Sequence, residues 1–269
     1  MRRLAPLLIL PLLLACGDRI EHPPAAPDCD RSVSDCRGLP PAGGGVGKGG
    51  GEGGDGSSGD QTTDWTGELL AYTGDDFTTG SLFEGAANVS ATGVSGARVR
   101  GTYDGATFSL QNIVKASTNW FLVEPEAGAG LLPTLTPVDT RAVKNDELAI
   151  GVVRAADIDG IFALALAATD RSDGRAQLVV RVVDSRDRSV SGVKASLTAE
   201  LTAYRGAGTW DSTEGAATDD SGLIFFGNVP ATSAIGATAI ELRGPVTARV
   251  EARIKAGVTT VLTAVVSPP

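Results

Sequence analysis

Three cysteines and one histidine are all the chain offers for nucleophilic or soft-metal chemistry. They are Cys16, Cys29, Cys36 and His22, so all four lie in the first 36 of 269 residues. A Ser-His-Asp or Cys-His set needs its base beside its nucleophile on a folded scaffold. A structural zinc site needs about four nitrogen or sulfur ligands. The sequence beyond Cys36 holds neither residue type, which excludes both chemistries from it. His22 reads as a solvated linker residue. Cys29 and Cys36 would close a small loop, and in an oxidising compartment the pair is expected to form a disulfide.

Carboxylates are the remaining reactive groups. Asp219 and Asp220 precede Ser221-Gly222, where turn chemistry accounts for them. Asp157 and Asp159 before Gly160 could begin a calcium loop. Apolar residues at helical spacing follow, and no Glu stands at the twelfth position, so the first turn of a helix is expected instead. The 170–174 stretch reads as a turn. Calcium held by several acidic loops at once stays open, as does a hydrolase using carboxylates alone, although no acid pair stands out. No cofactor and no metal are expected.

Tyr204, Arg205 and Trp210 form an aromatic set in a Gly-containing stretch. Displayed on a loop, they are a candidate ligand contact that would stack on sugar rings. Buried, Trp210 would cover one end of a core, the commoner fate of so large an apolar ring. Trp65 and Trp120 are assigned to a first, separate core.

The elements that must position these groups begin after a long leader. Arg2 and Arg3 precede an apolar run from Leu4 to Leu14, then Ala15 and Cys16. A basic start, an apolar stretch and a small residue before a cut read as an export signal. The run is too short to span a membrane, which takes roughly 20 apolar residues. Residues 17–64 read as a tether: Pro23, Pro24, Pro27, Pro40 and Pro41 stiffen its first half, and glycine dominates 43–59. Such a stretch has no apolar side chains to offset the entropy of ordering, so a flexible coil is expected, with a reach on the order of 40 Å.

Folded sequence is expected from Trp65. Glu68–Tyr72 reads as a strand and 78–95 as weak strand and loop. Ala97–Tyr103 leads into the hairpin signal Asp104-Gly105, beyond which Phe108, Leu110 and Asn112 alternate. Trp120–Val123 reads as a central strand. Leu131–Val138, with two prolines, reads as an edge or crossing segment. Leu148–Val153 reads as a strand. Ile158, Ile161, Phe162, Ala165 and Leu166 predict a helix over about 155–168. Ala176–Val183, Val193–Leu201, Tyr204–Trp210, Gly215–Thr218 with Leu223–Phe226, Ala237–Leu242, Val246–Ile254 and Val258–Val266 complete about seven strands. That spacing reads as a β-sandwich.

Two resemblances follow from these residues. Leu13-Leu14-Ala15-Cys16 resembles the lipobox of bacterial lipoproteins. That implies cleavage before Cys16 and a lipid on it, and Gly17 in the next position implies the outer membrane, with its face open. The strand Leu178–Val183, then Val190-Ser191-Gly192-Val193, Thr218-Asp219-Asp220-Ser221-Gly222 and Phe225–Pro230, resembles the carboxypeptidase regulatory-like domain, a transthyretin-like β-sandwich, over roughly 176–266. Asp104-Gly105, Phe108, Leu110 and Asn112-Ile113 echo it more loosely, so a degenerate tandem copy is expected. Related pilin domains carry a Lys–Asn isopeptide bond; here the first strand has Arg181 and 258–266 has no Asn, so that bond is not expected. The whole arrangement is similar to surface lipoproteins of Gly- and Ala-rich bacterial proteomes.

The expected fold is therefore all-β: two small Greek-key, transthyretin-like sandwiches in tandem with one short helix between them. The expected segments are 1–15, 16–64, 65–140, 141–175 and 176–269. A net charge of −9, made more negative by loss of Arg2 and Arg3, argues against nucleic acid and against lying flat on anionic lipid. A non-enzymatic, lipid-anchored envelope protein is the leading expectation, with a glycan or envelope protein as its partner. A carbohydrate- or peptidoglycan-binding module is the alternative.

Overall fold

In the computed structural model, the described residues are 62–267, apart from 93–97, 116, 117, 145, 166, 167 and 207. Cys16, expected to be lipidated, the pair Cys29 and Cys36, His22 and the Gly-rich stretch expected to be a tether lie outside them. Strand structure begins at Thr62, so the last three residues assigned to the tether already belong to the first strand.

The first half is a curled sheet. In β1 (Thr62–Tyr72), Trp65, Gly67, Leu69 and Ala71 alternate inward, as a strand with one wet face requires. Its outer end pairs with β2 (Gly80–Leu82). Next come β3 (Ala87–Thr92), β4 (Arg98–Tyr103), β5 (Phe108–Val114), β6 (Asn119–Pro125) and β7 (Thr134–Val138). The β4–β5 turn is the one expected at Asp104-Gly105: the Asp104 carboxylate accepts from the N–H groups of Ala106 and Thr107 at 3.0 and 3.1 Å. β8 (Leu148–Val152) runs parallel to β1 from Gly67↔Leu148 to Ala71↔Val152. It is thus no connector. Leu148, Ile150 and Val152 join Trp65, Leu69, Val89, Phe108, Leu110 and Phe121 in one buried cluster. The alternation breaks at Asn112, which is exposed in a left-handed conformation (φ 57°) while Ile113 turns inward.

The second half is a sandwich. β9 (Ala176–Val183), β11 (Leu201–Gly206), β12 (Thr209–Asp211), β13 (Leu223–Val229) and β16 (Thr259–Val265) lie in one sheet. β10 (Lys194–Ser196), β14 (Gly236–Arg243) and β15 (Ala248–Ile254) form the facing three-stranded sheet. Leu178, Val180, Val182, Ile224, Phe226, Ile240, Leu242 and Ala252 fill the space between them. Val193–Leu201, expected as one strand, holds only the three residues of β10 before β11 begins at Leu201, and Gly215–Thr218 is not a strand. The helix α1 (Ala155–Leu164) is shorter than expected and covers the sandwich's outer face. Ile158, Ile161 and Phe162 sit against Val179, Leu223 and Phe225, with Phe162 edge-on to Phe225 at 5.6 Å. Its N-cap is Arg154, whose side chain makes no cap bond; Asp157 lies in the first turn as expected, and Asp159 falls just beyond it.

One sheet runs through both halves. β16 pairs in parallel with β9 over seven residues, and with β7 at Thr134 and Leu135. β7 is therefore an interior strand, not an edge. Its Pro137 is tolerated because β16 touches only the two residues at the strand's start. Trp120 was expected in the first core. It belongs instead to the second, with Leu122 and Leu135, and the Arg253 guanidinium lies 5.9 Å from its ring centre. The cause is strand alternation: Phe121 and Val123 face one core, so Trp120 and Leu122 must face the other.

Candidate functional site

The expected ligand contact is a buried joint. β11 and β12 form a hairpin in which Arg205 pairs with Trp210. Trp210 is 2% exposed and sits edge-on to Phe225, at 6.1 Å between ring centres. Its indole N–H donates to the Asp75 carboxylate at 2.9 Å. The same carboxylate pairs with the Arg205 guanidinium at 2.9 Å. Tyr204 is also buried, and its hydroxyl donates to Ala195 O (3.1 Å) and accepts from Ala195 N–H (2.9 Å). The three residues do come together, but the indole and phenol offer no face to a sugar. Their exposure as a ligand contact is corrected. Burial of the large ring won because a carboxylate from the 73–79 turn satisfies its one polar atom.

Sequence reasoning missed Asp75. It stands in a Gly74-Asp75-Asp76 turn with no periodic signal, 135 residues from Trp210. Sequence reasoning also missed the polar knot around Asn228, a non-Gly residue at φ 54° in the bulge of β13. Its side-chain oxygen accepts from Ser172 N–H (2.8 Å) and Gln177 Nε2 (3.2 Å). Its side-chain nitrogen donates to Asp170 O and Glu200 Oε2, both at 2.9 Å. Every hydrogen-bonding position of the amide is thus used to hold loops, and none is left for a ligand.

Among the described residues the acids do not converge. Asp159 and Asp173 both pair with Arg171 (2.8 and 2.5 Å), and Asp219 accepts from Ser221 N–H at 2.8 Å as a turn residue. Among the described residues, no three carboxylates, cysteines or histidines are grouped so as to hold a metal. Asp157 is the unusual one. Its Oδ2 is buried without a hydrogen-bond partner. Burial pushes its pKa up, Arg154 opposes this, and Asp75 adds to it. A shallow groove of about 380 Å³ between Leu197, Val229, Pro230 and Ala239 holds no charged group.

No known protein family and no curated protein matches the chain. Solved structures similar to it include a streptococcal ancillary pilin (13% identity, TM-score 0.24, 77% of this chain and 69% of that one). A second is the minor pilin GBS52 of Streptococcus agalactiae (11%, 0.25, 77% and 97%). A third is the shaft pilin SpaA of Lactobacillus rhamnosus GG (9%, 0.23, 78% and 98%). Similarity at that level does not bear on activity, partner or assembly.

Proposed function

We propose that this is a non-enzymatic envelope protein, lipidated at Cys16, that holds its β-structured body away from the outer membrane for structural or adhesive contact. The sequence supports the anchor through Leu13-Leu14-Ala15-Cys16, and the spacer through the Pro- and Gly-rich 17–61. The observation that carries the display reading is the continuous sheet. The chain enters β1 at Thr62, and both cores hang on strands of one sheet, so the whole body is presented as a unit. The regulatory-like resemblance of 176–266 belongs to the same reading, since that module is a scaffold whose fold does not specify an activity. Cys29 and Cys36 are proposed to be oxidised.

Radioactive palmitate should label the wild-type protein and spare Cys16→Ala. Equal labelling of the two would overturn the anchor. External protease on intact cells then separates outward display, where the body is shaved off, from a periplasmic position, where it is protected. The glycan-binding alternative through Tyr204 and Trp210 loses its basis with the burial of both rings.

A further inference from the structure

β4 and β5 are hydrogen-bonded neighbours only at Tyr103↔Phe108. No pairing is formed beyond it, although the Gly101 backbone still lies against Ser109, where a Cβ would meet the carbonyl oxygen at 2.2 Å. Further along, β5 turns irregular at Asn112, where its register with β1 shifts between Thr63 and Trp65. The Asn112 N–H turns to the Asp64 carboxylate (3.1 Å), on the β1 side of β5. The unpaired stretch of the two strands carries a shallow groove of about 470 Å³ lined by Arg98, Val99, Arg100, Ser109, Gln111 and Asn112. Tyr103 and Phe108 point into the core, so alternation puts Arg98, Arg100, Ser109 and Gln111 together on the outer face, where all four are exposed.

Neither arginine has a carboxylate partner among the described residues, whereas Arg171, Arg188, Arg205 and Lys255 each have one. Arg98 Nε donates to Ser90 Oγ at 3.2 Å, which orients the side chain, and its outer nitrogens have no partner among the described residues. Two positions apart on a strand, the two side chains stem from points about 7 Å apart. The groove therefore offers a short row of positive charge, faced by a hydroxyl and two amides.

We propose that this groove binds an acidic saccharide chain, one whose sugars carry carboxylates. Guanidinium groups take carboxylates in paired hydrogen bonds, and the Ser109, Gln111 and Asn112 side chains match sugar hydroxyls as donors and acceptors. A row of charge suits a repeating polymer better than a compact anion. The chain's overall negative charge opposes a dense polyanion such as duplex nucleic acid more strongly than it opposes a ligand of lower charge density, whose neutral hydroxyls the groove can also bind. This goes beyond the display reading and does not depend on the lipid.

The test is calorimetric titration of the purified full-length chain with a galacturonate oligomer, with a neutral galactose oligomer and a polyglutamate of similar length beside it. The galacturonate should bind, and the other two should bind much more weakly. Arg98→Gln/Arg100→Gln should weaken galacturonate binding by about tenfold or more, since both charge-assisted contacts are lost. Both arginines are exposed, so circular dichroism should be unchanged. Arg186→Gln/Arg249→Gln removes the same charge elsewhere and should leave binding intact. No galacturonate binding, equal binding of polyglutamate or neutral oligomer, or an equal loss in the two double variants would each overturn the proposal.

Discussion

Removing the Asp75 carboxylate would leave the Trp210 indole N–H buried without an acceptor and Arg205 without its counter-ion. Asp75→Ala should therefore cost about 1–3 kcal/mol, read as a lower urea midpoint with an unchanged slope. Asp157 behaves in the opposite sense. Its folded pKa is raised, so its contribution is fully present below the unfolded carboxylate pKa and is lost as pH rises through the folded value. Asp157→Asn should be more stable than the parent at pH 7, and the two should converge in acid. Asp184 is depressed to about 2, first by the Arg188 side chain and then by the Arg188 N–H. Its contribution is present above the unfolded value of 3.8 and lost as pH falls toward 2. Asp184→Asn should remove that part of the acid dependence in a pH series of melts. At this scale the sequence was readable where a residue acts on near neighbours, as at Asp104 and Asp219. It was silent where the partner is remote: nothing near Trp210 announces Asp75.

Among elements, the Asp219–Gly222 turn is the clearest case of a local signal that held. Gly222 sits at φ 68°, and a Cβ there would meet Val182 O at 2.4 Å. Its own carbonyl accepts from Val182 N–H at 2.8 Å. Gly222→Ala combines backbone strain with a clash against backbone, so a loss of about 2 kcal/mol or more is expected in thermal unfolding. Gly151 is glycine for another reason: a Cβ there would lie 2.1 Å from the Tyr72 ring, whose burial also pushes the phenol pKa up to about 12. Strand existence was legible from alternation, as in β1 and β5. Strand neighbours were not. Pro133 and Pro137 mark β7 as an edge by local rules, yet β16 reaches it from 125 residues away. The helix was legible from Ile158, Ile161 and Phe162, but not the face it covers, because Phe225 lies on a distant strand.

At the level of the whole molecule, Trp120 and Leu135 matter because they carry first-half strands into the second core. Two independent sandwiches would melt separately. One sheet with a shared core should melt as a unit, so far-UV dichroism and tryptophan emission should give coincident transitions. Trp120→Ala should lower that single transition by about 3–5 kcal/mol without splitting it. Composition and turn spacing disclosed the all-β class. The stitching of the halves depends on pairings that no local window contains.

The parallel seat of β16 has a consequence for how the protein comes into being. Synthesis proceeds from the N-terminus, so β7 and β9 must wait, with a vacant lane between them, until residues 259–265 arrive. Contacts so far apart in sequence form slowly, and an open strand edge is a template for wrong partners. The nascent polypeptide is thus committed to a late, all-at-once closure. Until that last strand is delivered, the lane between β7 and β9 stands open.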